Sequence, residues 1–115
     1  MSPESRTGTT VRPKEVTLLF AALGDQTRLS LVTKLSKGRP QSISQLAEGS
    51  GLTRQAVTKH LRVLESVGIV RGAYTGRENR FELDPRPFKD LRQYLKFVSD
   101  QWDQALSRLK SFVER

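Results

Sequence analysis

The apolar residues in the first third of the chain recur at intervals of three and four, the spacing of an amphipathic helix. The positions in this stripe are Val16, Leu19, Phe20, Leu23, Leu29, Val32 and Leu35. Gly24 interrupts the stripe, Asp25 is a suitable N-cap for a second helix, and Gly38 stops that helix. Two helices are therefore predicted within residues 14–37.

A short helix and a longer helix follow, separated by a turn that contains glycine. Ser42 or Ser44 can cap the short helix, after which the chain turns at residues 49–51. Thr53 can cap the longer helix, which should run to about Ser66. A short helix, a tight turn and a longer helix form a helix-turn-helix pattern.

The remaining chain is predicted to form a hairpin and one long helix. Residues 69–71 and 80–83 are short strand-like runs, and the connection over residues 72–79 contains two glycines and has a basic tip. The Asp-Pro-Arg-Pro segment at residues 84–87 should break regular structure. A helix should then occupy about residues 88–113, which contain neither Gly nor Pro.

These elements predict a mainly α protein with a small β-hairpin, in the arrangement of a winged helix-turn-helix. At 115 residues the chain suits one compact domain. We place that domain at residues 14–115. Residues 1–13, rich in Ser, Thr and Pro, are predicted to be a flexible arm.

Composition narrows the classes of partner. The net charge of +8 attracts polyanions, so nucleic acid and anionic membranes are the first candidates. The most apolar stretch, residues 16–23, is too short to cross a bilayer. The chain has no cysteine, which excludes disulfides and thiolate chemistry and is compatible with the reducing cytoplasm, where we expect this protein.

The sequence does not favour an enzyme. It has no cysteine, no glycine-rich phosphate cradle, and carboxylates that are scattered rather than paired. Its single histidine, His60, falls on the apolar side of the fourth helix, where packing or a phosphate bond is the expected role. Zinc needs three or four donors, so we expect neither a metal nor another cofactor.

The fourth helix carries the residues that point to DNA. On a helical wheel Val57, Leu61 and Leu64 share one side, which should face the core. The opposite side mixes cations with small hydrogen-bonding groups, which suits phosphates and base edges in a major groove, although a merely basic exposed helix has the same pattern. Two cations of the hairpin, which forms the wing of this fold, complete the set. The predicted DNA contacts are Thr53, Arg54, Gln55, Thr58, Lys59, Arg62, Arg77 and Arg80.

The last helix has a second apolar stripe, with gaps that alternate between three and four. About 26 helical residues extend roughly 39 Å, which is longer than a small core can cover. A symmetric homodimer would cover the surplus. The residues predicted at its interface are Val16, Leu19, Phe20, Leu91, Leu95, Val98, Trp102, Leu106 and Leu109.

Three segments resemble the ArsR-type winged-helix repressors: residues 23–29 (LGDQTRL), 43–47 (ISQLA) and 53–64 (TRQAVTKHLRVL). The resemblance implies a bacterial or archaeal repressor that binds a near-palindromic operator as a dimer, with its first and last helices paired across the two-fold axis, and releases the operator on a signal. The DNA-contacting positions that the resemblance implies are Arg54, Gln55, Thr58, Lys59 and Arg62.

The resemblance also bears on the signal. Metal-sensing members of this family use cysteines, or Asp, His and Glu pairs on the last helix, whereas Asp100, Asp103 and Glu114 have no histidine partner here. We therefore expect the metal-independent branch, with an unknown small-molecule effector or autoregulation without a ligand. The alternative function is a winged-helix protein-interaction module without specific DNA binding.

Overall fold

A computed structural model describes residues 13–76 and 78–114 and has the predicted winged helix-turn-helix architecture. The elements are α1 (Pro13–Leu23), α2 (Gln26–Leu35), β1 (Gln41–Ser42), α3 (Ile43–Ala47), α4 (Arg54–Ser66), β2 (Val70–Thr75), β3 (Glu78–Leu83) and α5 (Pro85–Val113). The mainly helical fold class is confirmed. Apart from Pro13, the predicted N-terminal arm lies outside the described residues.

Side-chain caps set the beginnings of the helices. The Asp25 carboxylate accepts a hydrogen bond of 3.0 Å from the Arg28 backbone N–H at the start of α2. Ser42 begins α3 in a capping box with Gln45: each side chain accepts from the backbone N–H of the other residue. The sequence left Ser42 and Ser44 as alternatives, and the structure selects Ser42.

The sheet has three strands in the order β1-β3-β2, all antiparallel, one more than predicted. Strand β1 was missed because its two residues are too few to show an alternating pattern, and they become a strand only by pairing with Phe81 and Arg80. The predicted eight-residue connection is also wrong. Pairing continues to Thr75 and Glu78, and the chain turns at Gly76, whose φ of 61° suits a residue without a Cβ.

The start of α5 corrects another expectation. The segment that was predicted to break regular structure is the first turn of the helix. Proline is tolerated there because N–H groups in the first turn have no acceptor within the helix. Asp84 caps this turn, accepting from the Arg86 backbone N–H at 3.0 Å.

The core lies between α1–α4, the inner face of the hairpin and the first part of α5. It contains the apolar stripes of α1, α2 and α4 and one face of the sheet. Its buried members are Val16, Leu19, Ala22, Leu31, Val32, Leu35, Leu46, Val57, Leu61, Leu64, Ile69, Val70, Phe81 and Leu91.

Most of α5 extends away from this core. Of its 29 residues Leu91 is the one that is buried, and the large apolar side chains from Leu95 onward are exposed. Charged residues alternate with the apolar ones along α5. Within residues 13–76 and 78–114, no helix combines the length and the apolar character that a bilayer crossing requires.

The Asp84 carboxylate should make the stability depend on pH in acid. Hydrogen bonds from Arg86 lower the pKa of Asp84 to about 2, from an ordinary value of 3.8. Because the folded state has the lower pKa, the stabilisation is complete above about pH 4 and is lost as the pH falls through 2. Asp84→Asn keeps a good cap but removes the charge. The difference in unfolding free energy between the wild type and this variant, measured by urea denaturation, should shrink as the pH falls from 4 to 2.

The exposed Asp90 on the same helix provides the control. The free energy of unfolding of Asp90→Asn should stay close to that of the wild type across this pH range. If Asp84→Asn and the wild type lost stability in parallel between pH 4 and pH 2, the Asp84 carboxylate would not be the stabilising group.

Candidate nucleic-acid interface

The orientation of α4 is determined by three apolar side chains. Val57, Leu61 and Leu64 are 0%, 1% and 0% exposed, so this face of α4 is held in the core. The N-terminus of α4 is capped by Thr53, whose Oγ1 accepts from the Ala56 backbone N–H at 3.0 Å. The opposite face of the helix therefore points outward, as predicted.

The outward face carries the predicted polar residues in two groups. Arg54, Gln55, Lys59 and Arg62 are exposed and leave their polar ends at the surface. Both threonine hydroxyls contact the backbone: Thr53 Oγ1 accepts as the helix cap, and Thr58 Oγ1 donates to the Arg54 carbonyl at 2.8 Å. The Thr58 hydroxyl has therefore used its one donor, whereas the Thr53 O–H and the long side chains keep theirs.

An open groove of about 590 Å³ runs along this face. Its walls come from the N-terminal part of α3, the exposed side of α4 and the beginning of β3. The lining residues are Ser42, Ile43, Ser44, Arg54, Gln55, Thr58, Lys59, Glu78 and Asn79. Sequence reasoning considered Ser42 and Ser44 only as helix caps. The groove shows that the start of α3 also lies beside the outward face of α4.

The charges of α4 and of the hairpin differ in their partners. Among the described residues, Arg54, Lys59 and Arg62 have no ion pair within the chain. In the hairpin, Arg80 Nε donates to Glu78 at 2.9 Å, and Arg71 Nε donates to Glu82 at the same distance. Of these two elements, α4 therefore carries the positive charge that is free to meet a polyanion.

The predicted wing contacts are thus only partly described. Arg80 is half-buried and shares its charge with Glu78, so a phosphate would compete with that carboxylate. Arg77 lies outside the described residues. Asn79 lines the groove beside α4 from the wing side.

His60 links α4 to the junction of α1 and α2. Its Nδ1 lies 3.4 Å from Arg28 Nη1 and can accept from that guanidinium when Nδ1 carries no proton. The same nitrogen lies 3.9 Å from the Asp25 carboxylate. Arg28 Nε in turn donates to the Ala22 carbonyl of α1 at 2.6 Å. His60 is therefore part of a polar contact between helices and does not face the groove.

The carboxylates of α5 do not gather into a metal site. Asp100 accepts from Lys96 Nζ at 2.8 Å, and this contact raises the pKa of Lys96. No group of three His, Cys, Asp or Glu side chains that could hold a metal ion occurs in the described part of the chain.

The predicted dimer residues fall into two sets. Val16, Leu19 and Leu91 are 4–6% exposed and belong to the core of the subunit, so they do not present surface to a partner. Phe20 is at the edge, with its ring 5.9 Å from that of Tyr94 in an edge-to-face contact. The remaining predicted residues are exposed apolar side chains of α5: Leu95, Val98, Trp102, Leu106 and Leu109.

Comparison with known proteins identifies a family model for the region that contains α2–α4 and a relative of most of the chain. Residues 23–73 match a family model described as a helix-turn-helix domain. A helix-turn-helix-type transcriptional regulator of Mycobacterium tuberculosis is 31% identical over 95 residues, covering 83% of this chain and 85% of that protein.

Solved structures of similar proteins share the fold. An ArsR-like transcriptional regulator from Rhodococcus is 33% identical with a TM-score of 0.73, and the match covers 86% of this chain and 92% of that chain. A homodimeric winged helix-turn-helix domain from Mycobacterium bovis has a TM-score of 0.61 at 20% identity, over 80% of this chain and 84% of that chain. The second likeness shows the fold alone.

The cap of α4 should contribute measurably to stability. Thr53→Ala leaves the Ala56 N–H without its acceptor and should lower the free energy of unfolding by about 1 kcal/mol, measured by urea denaturation. Thr53→Ser keeps the accepting hydroxyl, so its free energy of unfolding should stay near that of the wild type. Equal stability of the alanine and serine variants would contradict a capping role.

Proposed function

Because the chain belongs to the ArsR-type family of winged helix-turn-helix transcriptional regulators, we propose that it is a repressor that binds a near-palindromic operator as a homodimer. The coarser function follows from the family: the chain is a transcriptional regulator with a DNA-binding domain and not an enzyme. The observation that carries the proposal is the exposed face of α4, whose cations have no carboxylate partner among the described residues.

On this proposal α4 lies in the major groove of the duplex. Lys59 and Arg62 neutralise backbone phosphates, which positions the protein without reading the sequence. Arg54 and Gln55, at the N-terminal end of α4, can form paired hydrogen bonds with guanine or adenine edges, and the Thr58 methyl can contact thymine. Four of these side chains, Arg54, Gln55, Thr58 and Lys59, line the groove between α3, α4 and β3.

We propose that the exposed face of α5 joins two subunits. A helix of 29 residues is about 43 Å long, and its C-terminal part leaves five predicted interface residues exposed outside the subunit core. Monomeric proteins rarely expose apolar patches of this kind. Pairing by α5 would hold two copies of α4 about one helical turn of DNA apart, roughly 34 Å. The homodimeric state of the Mycobacterium bovis domain supports this assembly.

Removing the unpaired cations of α4 should abolish specific DNA binding. The operator is obtained by selecting bound fragments from random duplexes with the wild type. Arg54→Ala/Lys59→Ala/Arg62→Ala should then bind it about 1,000-fold more weakly, close to the non-specific level, in fluorescence anisotropy. The salt dependence should also weaken, by about 0.9 in log–log slope for each phosphate that the variant no longer neutralises.

The matched control removes three cations elsewhere. Lys89→Ala/Arg108→Ala/Lys110→Ala removes three exposed cations of α5, changes the net charge equally and should bind the operator as the wild type does. Loss of binding in both variants would mean that the total charge of the protein, and not the exposed face of α4, determines operator binding. Unchanged binding in the α4 variant would favour the alternative of a protein-interaction module.

Charges placed on the exposed face of α5 should separate the subunits. Trp102→Glu/Leu109→Glu would bury unpaired carboxylates in the proposed interface, which is strongly unfavourable. Analytical ultracentrifugation should find the wild type as a dimer and this variant near the monomer mass of 13.0 kDa. Ser107→Glu, on the polar side of α5, should remain a dimer. A wild type that is monomeric at micromolar concentration would contradict the assembly.

A further inference from the structure

A second cationic surface lies on the other side of the α3 N-terminus from the α4 groove. It is an open cleft of about 670 Å³ between the α2–β1 connection, α3 and β3. The residues that line it are Lys37, Arg39, Pro40, Gln41, Gln45 and Arg80. Three of these six carry a positive charge and none carries a negative one, so the cleft favours an anion.

The charge of this cleft is mostly unpaired. Lys37 and Arg39 are exposed, and neither has an ion pair within residues 13–76 and 78–114. Arg80 is bonded to Glu78 and contributes less. Lys37 and Arg39 therefore account for the net positive character of the cleft.

The segment that carries these two cations is held by the surrounding structure. Gly38 lies between them with a φ of 92°, and its N–H donates to the Leu35 carbonyl at 3.1 Å. Pro40 restricts the backbone of Arg39 to an extended form. Gln41 Nε2 donates to the Lys34 carbonyl at 3.1 Å. Both cations therefore stand on a constrained turn between α2 and the sheet.

The cleft lies beside the α4 groove. Residues 41 and 45 line the cleft while residues 42–44 line the groove, and on β3 residue 80 lines the cleft while residues 78 and 79 line the groove. A duplex whose major groove contained α4, as proposed above, would bring its backbone close to this neighbouring cleft.

We propose that Lys37 and Arg39 bind backbone phosphates of duplex DNA outside the base pairs that α4 reads. This inference rests on the proposed function and extends it: each subunit contacts more of the duplex than α4 can reach. The contacts are with phosphates and so add affinity without sequence preference. The affinity of the wild type should therefore depend on the length of the flanking DNA.

Two duplexes test the proposal. Both carry the operator selected by the wild type; one ends at the outermost base pairs that the selection specifies, and the other has about half a helical turn of random sequence added at each end. The wild type should bind the long duplex about tenfold more tightly at low salt, with a log–log salt slope steeper by about 0.9 for each additional phosphate that it neutralises. Lys37→Ala/Arg39→Ala should bind the two duplexes equally.

Two further variants sharpen the comparison. Lys37→Glu/Arg39→Glu should reverse the preference, because its carboxylates repel the added phosphates. Lys89→Ala/Lys110→Ala loses the same charge as the alanine pair on α5 and should keep the full advantage of the long duplex. Melting curves of all variants test that the exposed substitutions leave the fold intact.

The outcomes separate this inference from the proposed function. If Lys37→Ala/Arg39→Ala kept the wild-type advantage of the long duplex, the cleft would not be a phosphate site, although α4 could still bind the operator. If the wild type bound both duplexes equally, the cleft would again be excluded. A wild type that bound no duplex of either length would overturn both proposals.

Discussion

The burial of one side of α4 in the core is the constraint on which the interface depends. Val57, Leu61 and Leu64 are almost completely removed from water, and burying each such side chain contributes roughly 1.5–3 kcal/mol. Rotating α4 to hide its cations would expose all three apolar side chains and bury charges without partners. The outward direction of Arg54 and Arg62 is therefore a consequence of packing, established before any DNA is present.

Most features determined by neighbours in the sequence were predicted, whereas a strand that depends on distant residues was not. Asp25 and Thr53 were recognised as caps because a cap acts within one helical turn. Strand β1 has no pattern of its own and depends on pairing with residues about 40 positions away. The hairpin was predicted too short because its two glycines were interpreted as a long connection, whereas residues 72–75 pair with residues 78–81. Helix α5 begins earlier than predicted. Pro85 was interpreted as a helix breaker, although proline suits the first turn of a helix.

The same division applies to the functional surface. Helical periodicity was enough to place Arg54 and Lys59 on the outside of α4, since one helix face determines the other. The pairing of Arg80 with Glu78 depends on the strand that brings them together, so a count of charges in the wing overstated its free positive charge. Lys37 and Arg39 were passed over because a loop has no periodicity, and only the folded chain shows that they stand beside β3.

The apolar half of α5 is exposed, and its proposed pairing would make DNA binding depend on the abundance of the protein. If two copies pair through this face, the concentration of dimers able to bind both halves of an operator grows with the square of the free subunit concentration at low levels. Few molecules per cell would leave most subunits unpaired and the promoter open. Modest accumulation would then close it steeply, so that a simple two-body equilibrium supplies a threshold without any ligand.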